Sequence, residues 1–371
     1  MWRKAVPTRL ERFRARLEAA GHDGAVVAFP PHIYYLSGLT PPARGQTFLV
    51  VGPTTAIAVV PGSSPTSAGP GVTVSPYEDY SSRQVIDPLQ AARQALQSAL
   101  AEAGLYGKRV ALESSALPHT YATIVSEHAQ RADLGDLLLE MRRQKDPDEI
   151  AAIRRAIAIL DAAYATAQQT IAPGVSELEV YQAIFQTILH RHGEPFFLQG
   201  DFVSGPRSAG IGGPPTARRL EPGDLFIIDL FPVLHFYKGD LCRTFVVGQP
   251  TPEQRALHTL LEEALARGAE ALRPGVTGAE VDRLVRGHLQ AAGYGQYFPH
   301  HSGHAIGLGH PERPYLIPGE TLPLAENMVV TLEPGLYRPG FGGMRLEQNF
   351  LITASGAEPL STFPLTLIAC P

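Results

Sequence analysis

The chain has 371 residues, with 31 Lys and Arg against 36 Asp and Glu for a net charge of -5. That balance leaves no basic footprint for nucleic acid, and the cations are too scattered to address an acidic membrane surface. A hydrophobic share of 44% and the length suit about two globular domains, while two cysteines without paired spacing, Cys242 and Cys370, exclude a disulfide framework and a cysteine zinc site.

The opening "MWRKAVPTRLERFRARLEAAG" contains no apolar run before a cleavage site, so a cytoplasmic protein is expected. Leu10, Phe13 and Leu17 share one face of a first helix that stops near Gly21. Strand patterns follow at "GAVVAF", "TFLVV" and "AIAVV", the last two joined by the turn-like "GPTT". The helical "PLQAARQALQSALAEAG" then precedes the strand "RVALE". This alternation describes a small α/β domain, residues 1–140, followed by a second domain over 141–371.

The second domain opens on "QKDPDEI", with Asp146 as N-cap, Pro147 in the first turn, and Ile150, Ile153, Ile157 and Leu160 as the apolar stripe. Inside it "IAPGVSELEV" (171–180) matches "LRPGVTGAEV" (272–281) at a constant offset of 101. In both copies one helix ends at Pro-Gly, and Ser176 or Thr277 caps the next. A duplicated helix-helix-strand unit about a pseudo-twofold axis is the expectation.

Polar residues interrupt the apolar strands of both copies. Asp229 sits inside "LFIIDLFPVL", and eleven residues later Asp240 opens "LCRTFVVG". His304 lies in "SGHAIGLG", Glu333 follows "MVVTL", and Glu347 lies in "GGMRLEQNFLIT". A carboxylate in a dry interior is costly unless a positive charge meets it, and any one of these read alone is best explained by an arginine partner. Arg243 and Arg345 are near in sequence, but two arginines do not neutralise four clustered carboxylates. A pair of divalent metal ions does, and oxygen-rich ligation with one histidine favours Mn²⁺, with Co²⁺, Zn²⁺ and Fe²⁺ as alternatives.

The ordered set "VSGPRSAG…GDLFIID…GDLCRTFVVG…GHAIGLG…MVVTLEPGLY…GGMRLE" resembles the prolidase and aminopeptidase P family of dinuclear metallopeptidases. The resemblance implies a pita-bread catalytic domain behind the smaller α/β domain, which would limit access to short peptides, and a homodimer. It further implies that Asp229 chelates one metal, that His304 and Glu333 bind the other, and that Asp240 and Glu347 bridge. Glu333 would also carry the proton from the attacking water to the leaving nitrogen.

Around this core the family pattern breaks. Where relatives that cut at proline read "SGPNSALPHG", this chain has "SGPRSAGIGG", placing Arg207 at the asparagine and Gly212 at the histidine. Where prolidases read "HGIGLEVHExPR", it has "HAIGLGHPERPY", placing Pro311 at the second histidine and Tyr315 at the carboxylate-binding arginine. His310 is shifted by one residue, which on a strand would reverse its face, yet it is the candidate replacement, with His235 as the other. His300 matches a supporting histidine, His301 matches nothing, and His190 and His192 read as solvated. "GIGG" at 210–213 lacks the Lys-Ser/Thr of a phosphate loop.

The expected activity is hydrolysis of short peptides held by the C-terminal carboxylate, with Arg207, Arg313 and Tyr315 as substrate-binding candidates and a relaxed need for proline. His310 and Glu333 are the catalytic candidates. Conventional Xaa-Pro cleavage and a retired metal-binding scaffold are the competing readings.

Overall fold

The computed structural model describes residues 7–63 and 66–371. The first six residues of the opening segment read above lie outside that range. The chain divides into two compact units, Met1–Met141 and Arg142–Pro371. Among the described residues no helix is long and apolar enough to cross a membrane.

In the first unit the helix Arg9–Ala19 starts on a Thr8 capping box and buries Leu10, Phe13 and Leu17, the expected stripe. Six strands form one mixed sheet in the order Thr73–Tyr77, Ala56–Pro61, Phe48–Val51, Gly24–Val27, Arg109–Leu112 and Gln130–Asp133. The four inner strands carry the apolar runs, and the helix Pro88–Glu102 supplies Ala92, Leu96, Ala99 and Leu100 to their core.

The second unit is built twice. Helices Pro147–Thr170 and Glu177–His192 pair in the first copy, and Pro252–Ala271 and Gly278–Ala291 pair in the second. Ser176 and Thr277 close capping boxes with Glu179 and Glu280. The turn before each box is pinned alike: Gly174 N donates to Leu220 O at 2.8 Å, and Gly275 N donates to Leu324 O at 2.9 Å. Each copy then runs into its own sheet. The first has four strands in the order Ile368–Cys370, Leu241–Val247, Leu225–Leu230, Gly200–Ser204. The second has five, in the order Glu312–Leu316, Gly303–Ala305, Val329–Leu332, Gln348–Ile352, Ala357–Pro359. The match at an offset of 101 is thus a structural duplication, and both units are mixed α/β.

Candidate metal centre

Strand ends place the carboxylates. Asp229 lies in Leu225–Leu230 opposite Cys242 of the antiparallel neighbour Leu241–Val247, and Asp240 directly precedes that neighbour. In the other sheet Glu333 directly follows Val329–Leu332 and Glu347 directly precedes Gln348–Ile352, strands that pair with Leu332 opposite Gln348. Each copy therefore delivers one carboxylate from a strand's end and one from its neighbour's start. His304, central in Gly303–Ala305, completes the set.

All five side chains are buried and converge. Asp229, Asp240 and Glu347 offer oxygens within 4.8 Å of one another. His304 Nε2 lies 3.3 Å from Asp240 Oδ2 and 3.4 Å from Glu333 Oε1. Its Nδ1 is 3.0 Å from Ala305 O, and since a carbonyl only accepts, Nδ1 carries the proton. The lone pair of Nε2 thus faces two carboxylates, an arrangement that calls for a cation between them. Two further atoms say the same: Asp229 Oδ1 and Glu347 Oε2 are buried and accept no hydrogen bond from the described residues.

The arginines do not resolve this. Arg345 pairs with Asp229 at 2.6 Å and with Asp201 at 3.0 Å. Arg243 commits its guanidinium to main-chain oxygens of Cys242, Glu347, Phe363 and Pro364 and to the Ser361 hydroxyl. Burial therefore holds the Asp229 carboxyl well above the usual carboxylate range despite Arg345, with Asp240 adding to the rise. Burial does the same to Glu347, with Asp240, Asp229 and Glu333 adding their repulsion. Glu333 goes the other way: burial pushes it up, but the His301 hydrogen bond and the nearby His304 and His300 hold it below the usual range. The donor set fits divalent metal: acidic oxygens and one oriented imidazole, with unsatisfied buried acceptors.

The model for "Metallopeptidase family M24" matches residues 151–354, and that for the "Creatinase/Prolidase N-terminal domain" matches residues 9–144. The chain belongs to metallopeptidase family M24. It is 31% identical to the Xaa-Pro dipeptidase of Pyrococcus horikoshii over 93% of this chain and 94% of the relative. Its fold superimposes on the Xaa-Pro dipeptidase from Bacillus anthracis with a TM-score of 0.85, at 26% identity, covering 97% and 98% of the two chains. The X-Pro aminopeptidase from Thermotoga maritima is matched with the same TM-score of 0.85, at 25% identity, covering 98% and 100%. The protein is thus a metallopeptidase by family, and its substrate shell must be read from its own residues.

In this M24 chain His310 does reach the centre. It lies in the bend before the strand Glu312–Leu316, not on it, so the one-residue shift reverses nothing. Its Nε2 is 2.8 Å from Asp240 Oδ2, and its ring stacks on Phe231 at 4.6 Å. His235 does not: it pairs with Glu194 at 3.5 Å and its ring meets His192, away from Asp240. Arg207 and Arg313, the expected carboxylate anchors, each have a carboxylate partner within the protein. The Arg207 fork is closed on the buried Glu177 and the carbonyls of Phe202 and Pro214. Arg313 is paired with Glu320 at 2.8 Å. Neither is brought to the carboxylates, whereas Tyr315 stands opposite His304 in the strand register, half-buried.

Gly212 has a local cause. A Cβ there would come within 2.3 Å of the Asp201 carboxylate, so no side chain fits while Asp201 holds Gly213 N at 2.8 Å and Arg345. Asp201 sits opposite Asp229 in the strand register and fills the histidine's place with an acid. Sequence reading missed it, along with His301, whose Nε2 lies 2.9 Å from Glu333 Oε1. His300 stands in a hydrogen-bonded chain: Nδ1 donates to His301 O, Nε2 accepts from Tyr337, and Tyr337 accepts from Arg345 at 2.8 Å. Burial lowers the His300 pKa to about 4, which keeps that chain of bonds in one polarity.

Proposed function

We propose that the protein hydrolyses dipeptides and other short peptides at a pair of divalent metal ions, Mn²⁺ foremost, releasing the C-terminal residue without requiring proline. Asp229, Asp240, His304, Glu333 and Glu347 would hold the ions. The observation that carries the reading is the pair of buried, unbonded oxygens, Asp229 Oδ1 and Glu347 Oε2, on opposite copies of the duplicated domain. Bound divalent ions supply Lewis acidity, acidifying water and polarising a carbonyl.

Around them the chain's own groups divide the remaining work. Glu333, ionised and steadied by His301, takes the proton of the attacking water and returns it to the leaving nitrogen. His310, fixed between Asp240 and the Phe231 ring, orients the peptide beside it. The loss of the histidine at Gly212 supports a relaxed proline requirement, and the dipeptidase names of relatives support a substrate with both ends free. A cytoplasmic homodimer belongs to the same reading through the family resemblance; a single-chain mass by light scattering would remove that part.

The test is mass spectrometry of digests of short peptides with free, acetylated or amidated ends. Chelation should abolish cleavage, Mn²⁺ or Co²⁺ should restore it, and Glu333→Ala should stay inactive with metal present. Amidation of the C-terminus should block cleavage while N-terminal acetylation is tolerated. Cleavage that survives amidation, stops on acetylation and occurs only before proline would identify an Xaa-Pro aminopeptidase instead.

A further inference from the structure

Lys238 ends the small hairpin of Val233–Leu234 with Tyr237–Lys238, two residues before Asp240. Its main-chain N–H donates to Gly307 O at 3.1 Å, tying it to the loop that leads from His304 to His310. Its ammonium donates to Gln199 Oε1 at 2.8 Å and lies 6.0 Å from the centre of the Phe231 ring. That ring stacks on His310, whose Nε2 touches Asp240. Gln199, Phe231, Lys238 and His310 are all half-buried, whereas Asp240 beside them is closed off.

A half-buried ammonium ordinarily stands against a carboxylate, because burial removes water that only charge replaces well. Lys238 has a neutral amide instead, and among the described residues no acidic side chain lies within ion-pair distance of it. Arg207 and Arg313, the cations first expected to hold the substrate, are closed on Glu177 and Glu320. Among the described residues Lys238 is thus a cation of this site held by no ion pair, with Asp240 acting on it from farther off.

We propose that Lys238 forms the binding site for the substrate's terminal carboxylate, one residue beyond the bond that is cut; this rests on the carboxylate-anchored peptidase reading above. The spacing suits it. Lys238 and Asp240 are two residues apart in the chain, at most roughly 7 Å, and one residue of peptide spans about 3.5 Å. A carboxylate one residue past a carbonyl at the metal centre thus comes within reach of the Lys238 stem. Gln199 Nε2, which donates to no described residue, adds a second donor, and Phe231 adds an apolar wall for the C-terminal side chain.

The experiment compares kcat and KM of the metal-loaded, full-length enzyme on a dipeptide and on the same dipeptide amidated at its C-terminus. Wild type should prefer the free acid. Lys238→Met should lower that preference roughly ten- to hundredfold, chiefly through KM, and Lys238→Arg should restore most of it. Lys238→Gln replaces the Met variant should that one unfold. Metal content and unfolding midpoint on the same preparations separate this from a general effect on Asp240. A variant that weakens acid and amide substrates equally, or keeps the wild-type preference, overturns the Lys238 assignment. A wild type indifferent to amidation overturns the reading on which it rests.

Discussion

Glu347 is a poorly compensated buried acid. One oxygen accepts from Thr331 Oγ1 at 2.5 Å, the other accepts nothing, and its carboxyl is held well above the ordinary range by burial and by Asp240, Asp229 and Glu333. When the folded-state pKa exceeds the unfolded one, stability falls as pH rises from the unfolded value toward the folded value, because ionising the buried group opposes folding. In chelated protein at pH 7–8, Glu347→Gln should therefore unfold a few degrees higher than wild type, with the difference vanishing below about pH 4. The same variant should lose most of the thermal shift that Mn²⁺ gives wild type. Scanning calorimetry with and without chelator reads both, and a chelated variant that melts lower than wild type would show that Glu347 is already satisfied by protein groups. At this scale the sequence was informative about which acids are out of place, since Asp229 stands visibly among isoleucines. It was uninformative about what each cation does. Arg207 looked available because Glu177 reads as an ordinary first-turn residue of a helix, and only the fold brings that carboxylate, buried, against the guanidinium.

The loop from Gly307 to Pro311 shows how an element is held for work. Glu312, buried, accepts from Gly309 N at 2.6 Å and pairs with Arg142 at 3.0 Å and Lys145 at 3.3 Å, so the segment ahead of the helix Pro147–Thr170 clamps the loop that carries His310. Burial pushes the Glu312 carboxyl up, but Lys145 and Arg142 outweigh it and hold the group below its usual range. A depressed folded-state pKa contributes stability that is present above the unfolded value near 4.3 and lost as pH falls through the folded value. Glu312→Gln should lower the unfolding midpoint at pH 7 by several degrees, since it removes the negative charge that faces the buried Arg142 and Lys145, and should flatten the acid limb of the pH–stability curve. Its kcat should fall with the loss of a fixed His310. Circular dichroism melts between pH 3 and 7 decide this, and an unchanged acid limb would remove Glu312 as its source. Helices and caps were legible here from Asp146, Ser176 and Thr277 because capping chemistry is local. The place of His310 was not, because the bend that carries it is held through Glu312 by Arg142 and Lys145 and through Gly307 by Lys238, all far away in the chain.

At the scale of the molecule the duplication was readable in one ten-residue stretch and its counterpart, and the architecture followed from it once the metal-ligand order was recognised. The two candidate ligand groups that contain Asp240 straddle the two copies. Asp229 and Asp240 from the first meet Glu347 from the second, and Asp240 meets His304 from the second. An ion gripped by both copies acts as a removable cross-link that closes a long loop of chain. Stripped of it, the two sheets face each other through like charges, and the seam between them should open first. Limited proteolysis should accordingly cut chelated protein in the strand-end segments near Asp240 and Glu333 at a rate that falls as Mn²⁺ is added, and equal rates with and without metal would refute the cross-link. In a metal-poor cell such a protein would be cleared by proteases at its own active site, so its abundance would follow the supply of divalent ions without any dedicated regulator.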